Sequence, residues 1–174
     1  NSHTMKKPGS KGEHNLQKKF ETEKRAFAFY NSQLLQHLNP EMQQFISEQE
    51  MVFISTSDTK GECDASFRAG DTGFVLVLDK KTLLFPEYRG NGVLASMGNI
   101  SENPHIGMFF IDFYQNSIGL HVNGKAEILS NEELTADLDL SRKIKMSSKK
   151  LGSRKPISWI KVDVEEAYIH CSKH

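Results

Sequence analysis

The chain has 174 residues, a length that suits one domain with a full hydrophobic core. Its 22 Lys and Arg match its 22 Asp and Glu, so no long-range field draws it to nucleic acid or to an anionic membrane. No apolar run approaches the roughly 18 residues of a membrane span, and two cysteines are too few for a disulfide framework, so the expectation is a cytoplasmic protein.

In chain order, "NSHTM" reads as a vector-derived scar before a natural start at Met5, and "KKPGSKGEHNLQKK" as a loose basic tail. Residues 1–14 therefore stand outside the fold and 15–174 form a single domain with N-terminal helices. Leu16, Phe20, Phe27 and Leu34 recur at helical spacing over 15–38. Asn39 and Pro40 then open a second helix, as N-cap and first helical residue, with Met42, Phe45 and Ile46 on its buried face.

From Val52 the texture becomes that of strands: "VFISTS", "ECDASFR", "FVLVLD", "TLLFPE", "HIGMFFIDF", "SIGLHVNGKAEIL" and "SWIKVDVEEAYIHC". The turn signals are Asp58–Gly61, Asp79–Lys81 and Asn123-Gly124. A helix over "NGVLASMGNISENP", with Val93, Leu94, Met97 and Ile100 on one face, interrupts the strands and stops at Asn103-Pro104. Another, "NEELTADLDLSRKIK", precedes the last strand. The pattern predicts an α+β fold, a mainly antiparallel barrel with flanking helices.

The segment "LLFPEYRGNGVLASMGNISENP" has the ingredients of an anion site. A strand ends, Arg89 sits in the loop, and Gly90-Asn91-Gly92 leads into a helix whose first N–H groups lack partners. Ser96 adds a hydroxyl one turn in, and Arg68, at the end of an earlier strand, is placed to converge on the same point. The plainer alternative makes Asn91 a helix cap and Arg89 a solvated charge. Neither a dinucleotide fingerprint nor a Walker loop is present.

Together "YRGNG", "GNISENPHIG", "HVNG" and "EEAYIHC.K", in this order over residues 40 to 174, resemble the FMN-binding split-barrel family related to pyridoxamine 5′-phosphate oxidase, in its uncharacterised bacterial branch. The resemblance implies a split barrel that dimerises, with FMN in clefts between the subunits. It implies that Ser66 and Arg68 line the flavin and its phosphate tail, and that Tyr88, Arg89, Asn91 and Ser96 hold the phosphate. Asn99 matches a usually polar position on the same helix. His170 and Lys173, at a chain end lying across the dimer seam, would be one subunit's contribution to its neighbour's cleft. The Ser-Arg-Lys run, the strand glutamine and the Arg-x-His element of the true pyridoxamine-phosphate oxidases are absent. The implied function is therefore a flavin-dependent oxidoreductase with another small-molecule substrate. The alternative is a non-catalytic module holding flavin, haem or a deazaflavin.

Several residues invite chemistry of their own. His121 alternates with Leu120 and Val122 and so faces away from them. Trp159 alternates with Lys161 and Asp163, which suggests an interface or an edge. Glu62, Cys63 and Asp64 point to alternating faces of a strand and form no acid–base pair, and His105 reads as a strand cap or a surface residue. The terminal "HCSKH" offers one ligand pair, too few for zinc, and no Cys-x-x-Cys. No metal site is expected and no catalytic residue is singled out; His121 and His170 are the first to test.

Overall fold

Strict alternation builds the sheet. In the computed structural model, which describes residues 7–115, 117–146 and 154–171, Val52, Ile54 and Thr56 of β1 (Met51–Ser57) are buried while Met51, Phe53 and Ser55 face outward. The same inward register runs through Ile106, Met108 and Phe110 of β5 (His105–Asp112) and Leu120 and Val122 of β6 (Ile118–Leu129). All seven expected strands form, the others being β2 (Cys63–Ala69), β3 (Leu76–Asp79), β4 (Thr82–Glu87) and β7 (Ser158–Cys171). They make one antiparallel sheet in the order β2-β1-β5-β6-β7-β4-β3. It does not close: β2 and β3 are its free edges, as in a split barrel.

The two longest strands are its spine. Residues 118–125 of β6 pair with β5, whereas residues 158–163 of β7 pair with β4, so two half-sheets share one long β6–β7 ribbon. Where the halves meet, β7 carries an extra residue, Glu165, between the partners of Gly124 and Asn123. Asn123-Gly124 is thus a bulge and not the turn expected from its sequence. Gly124 has a separate packing reason, because a Cβ there would collide with the Asp163 carbonyl.

The core lies inside the curl, where Leu83, Phe85, Phe110, Leu120, Ile160 and Val162 are fully or almost fully buried. Each large side chain so buried contributes about 1.5–3 kcal/mol. Helix α3 (Pro40–Ser47) is capped by Asn39, whose side chain accepts from the Met42 N–H, and it buries Met42, Phe45 and Ile46 as expected.

The helix after β4 departs from expectation. Helix α4 spans Ala95–Glu102, so Val93 and Leu94 precede it and remain exposed, and Ser96 joins Met97 and Ile100 on the buried face. The stretch expected as one helix after β6 is two: α5 (Asn131–Ala136), opened by a Ser130–Glu133 capping box, and α6 (Leu138–Met146), separated at the extended Asp137. These helices cover the other face of β3, β4 and β7. There Leu134 and Leu140 pack with Leu76, Leu84, Leu129 and Trp159. Trp159, expected at an edge or interface, is therefore only 2% exposed, and its indole N–H donates to Asn131 Oδ1 at 2.9 Å.

The described residues up to Leu35 are a separate compact unit. In it α1 (Lys11–Lys19) begins inside the stretch expected to be loose, because Ser10 and Glu13 close a capping box. The helix expected over 15–38 breaks after α1, at Glu21 with φ of +57°, and resumes as α2 (Glu23–Ser32). Tyr30 of α2 donates to the Glu13 carboxylate and accepts from Gln17 Nε2 at 2.8 Å. Among the described residues no helix is long and apolar enough to cross a membrane.

Candidate functional site

A cleft of about 550 Å³ opens between the outer end of β2, the end of β4 and the start of α4. Local backbone chemistry shapes it. The Arg89 carbonyl accepts from the Gly92 N–H at 3.0 Å, and Gly90 and Gly92 sit at φ of +51° and +80°, where a side chain would be strained. Asn91 does not cap the helix: its Oδ1 accepts from the Val93 N–H at 2.9 Å, two residues on. Leu94 then enters α4 with φ of +57°, a left-handed conformation costing a non-glycine residue about 1–2 kcal/mol.

Because α4 has no side-chain cap, its first N–H groups meet no side chain at the cleft among the described residues. Ser96, 4% exposed, lines the same cleft, and among the described residues its hydroxyl has no hydrogen-bond partner. No buried side-chain polar atom is left unpaired among the described residues, so this hydroxyl opens onto the cleft, and beside uncapped helix N–H groups it matches an oxyanion in charge and hydrogen-bond sense.

The arginines differ in their engagement. Arg68 donates from Nε to Glu87 Oε1 at 2.6 Å and from Nη2 to Oε2 at 3.1 Å; Nη1 reaches Ser66 Oγ at 2.7 Å and the Phe67 carbonyl at 2.9 Å. Four of its five N–H groups are thereby used. Its partner Glu87 has a side chain only 5% exposed. Arg89 is exposed and makes no ion pair among the described residues. Arg154, from the loop before β7, also lines the cleft, with its guanidinium 4.9 Å from the centre of the Tyr88 ring.

Six residues expected at a site therefore line this cleft: Ser66, Arg68, Tyr88, Arg89, Asn91 and Ser96. Two others lie elsewhere. Asn99 turns toward β1 and donates from Nδ2 to Thr56 Oγ1 at 3.0 Å, a bond that fastens α4 to the sheet. His170 stands on the outer face of β7, and Lys173 lies outside the described residues. Arg154 and Glu87 were not singled out from sequence. The one available signal for Arg154 was an arginine two residues before the proline that leads into the final strand.

That outer face carries a second constellation. Register places Phe67, Phe53, Phe109, His121 and Tyr168 opposite one another across five strands, β2, β1, β5, β6 and β7. Phe53 and Phe67 are 40% and 58% exposed. The His121 ring stacks on Tyr168 at 4.3 Å and touches Phe109 at 4.7 Å, and its Nε2 lies 3.4 Å from His170 Nδ1. Burial, and next the charge of His170, hold the His121 imidazole below its ordinary pKa. Gly119, opposite His170, leaves room for Phe109, because a Cβ there would lie 2.5 Å from the ring.

Cys63 and His105 line a separate depression of about 500 Å³ and make no hydrogen bond with each other. Among the described residues no three His, Cys, Asp or Glu side chains are grouped for a metal ion.

The fold has relatives among solved structures. HupZ of Group A Streptococcus is 22% identical, with a TM-score of 0.56 over 78% of this chain and 95% of that one. A Clostridium acetobutylicum protein related to general stress protein 26, of the pyridoxinephosphate oxidase family, is 17% identical, with a TM-score of 0.50 over 76% and 87%. HutZ, the haem storage protein of Vibrio cholerae, is 14% identical, with a TM-score of 0.51 over 77% and 94%. At these identities the likeness is one of fold. No curated protein matches. The family model described as pyridoxamine 5′-phosphate oxidase matches residues 38–171, the whole sheet with α3 to α6, and the chain belongs to that family.

Proposed function

We propose that the protein is a homodimeric FMN-binding flavoprotein, a flavin-dependent oxidoreductase acting on a small molecule other than pyridoxamine 5′-phosphate. One observation carries this reading: Arg89, the uncapped N–H groups of α4 and the unpaired Ser96 hydroxyl face a single cleft. A phosphate ester suits that donor set. Arg89 and Ser96 bind the phosphate, Asn91 and Tyr88 frame it, and Ser66 and Arg68 form the β2 wall along which the flavin lies. Asn99 steadies the helix that presents Ser96. The exposed aromatic row is the face that meets a second copy, whose His170 and Lys173 complete the cleft. FMN supplies the hydride or electron transfer, and the protein binds it, orients it and excludes water around its ring.

A second reading has its own support. His170 presents an exposed imidazole beside the aromatic row, an arrangement suited to a haem ligand, and the fold neighbour HutZ is a haem storage protein. A visible spectrum of the purified protein separates the two. Oxidised-flavin bands, with FMN released on denaturation, are expected. A Soret band, or a colourless protein that takes up no added FMN, would overturn the flavin reading.

A further inference from the structure

We propose that Arg154 is the second cation of the α4 cleft, and that Arg89 and Arg154 together neutralise a dianionic phosphate monoester there while Arg68 does not. The inference deepens the flavin-phosphate reading and rests on it.

Charge bookkeeping separates the three arginines. Arg68 is spent on Glu87, whose carboxylate takes Nε and Nη2, and on Ser66 and the Phe67 carbonyl, which take Nη1. One N–H and no net charge remain for a ligand. Arg89 and Arg154 have no carboxylate partner among the described residues. The remaining acid on the cleft wall is Asp64, on the exposed part of β2.

Arg154 is not at the cleft by accident of a loose loop. The Ile157 N–H donates to the Glu87 carbonyl at 2.9 Å, and the Pro156 carbonyl accepts from Asn131 Nδ2 at 3.1 Å. The segment entering β7 is thereby tied to the end of β4 and the start of α5, and Arg154 follows over the Tyr88 ring. The ring contact engages the cation through its charge and leaves the N–H groups free to donate. A phosphate monoester carries close to two negative charges at neutral pH. One arginine leaves it half neutralised, and two arginines satisfy it.

The test compares FMN with riboflavin, which lacks the phosphate, and adds inorganic phosphate as a third probe. Binding to the full chain is followed by flavin fluorescence quenching for the wild type, Arg89→Gln and Arg154→Gln. The wild type is expected to prefer FMN. Each substitution is expected to weaken FMN by about tenfold or more and to leave riboflavin within about twofold. Inorganic phosphate should displace FMN from the wild type and lose that ability in parallel. If Arg154→Gln binds FMN as the wild type does while Arg89→Gln does not, Arg154 is not the second cation and the flavin reading survives. If the wild type takes no FMN, the flavin reading fails. The arginine pair then stands or falls on whether phosphate shifts the amide resonances of the wild type and not those of Arg154→Gln. Arg154→Lys, which keeps the charge and loses the fork, is expected to recover part of the affinity.

Discussion

Arg68 and Glu87 close a two-point ion pair across the wall of the α4 cleft, with the carboxylate almost wholly buried at the end of β4 and the guanidinium one-quarter exposed on β2. Breaking such a pair from one side strands a buried charge, which costs about 3–5 kcal/mol. Arg68→Ala should lower stability by about 3 kcal/mol, whereas Arg68→Met with Glu87→Leu should recover most of the loss. Urea unfolding of the wild type and these two variants measures it. A single substitution that leaves the midpoint unchanged would show that the pair does not bear on the fold.

The His121–His170 pair predicts an acid-sensitive fold. His121 is held below its ordinary pKa by burial and by His170, so near pH 6 the unfolded chain binds more protons than the folded one. Stability should be complete above about pH 6.5 and fall as pH drops toward the folded midpoint. His170→Gln should raise the His121 midpoint and flatten that fall. Nitrogen-detected NMR titration of the His121 ring, in the wild type and in His170→Gln, reads the change.

The aromatic row predicts the dimer face. Phe53 lies at the centre of the exposed half of the row, between Phe67 and Phe109. Phe53→Lys should leave single-chain stability within about 0.5 kcal/mol, because the side chain is already part-exposed. It should also convert a double-mass species to single-chain mass in sedimentation equilibrium. A variant that stays at double mass would place the dimer face elsewhere.

Asn131 joins two structural duties, accepting from the Trp159 indole and donating to the Pro156 carbonyl. Asn131→Ala leaves the buried indole N–H without its partner, a cost of about 1–3 kcal/mol. Thermal unfolding should show the loss. Weaker FMN retention should accompany it, since the same side chain anchors the segment that carries Arg154.

Much of this was legible in the residues. The β-branched and aromatic runs marked all seven strands, and alternation alone turned His121 away from Leu120 and Val122. Trp159 misled because both faces of the first half of β7 are covered, one by the core and one by α5 and α6, so alternation there does not separate inside from outside. Asn123-Gly124 fits a turn and a bulge equally well, and the choice needed the β6–β7 register. The start of α4 was read early because Val93 and Leu94 keep helical spacing, although the left-handed Leu94 delays the helix. The Arg68–Glu87 pair spans 19 residues and the histidine pair 49, and neither separation says anything until strands are placed side by side.

The most direct test of the central claim is an amide-resonance titration of the isotope-labelled protein with FMN. A phosphate bound by the α4 cleft predicts the largest shifts at Gly90 to Met97 and at Arg154, saturating together at one FMN per chain. Shifts confined to Phe53, His121 and His170, with Gly90 to Met97 unmoved, would contradict the account and move the binding site to the outer face of the sheet.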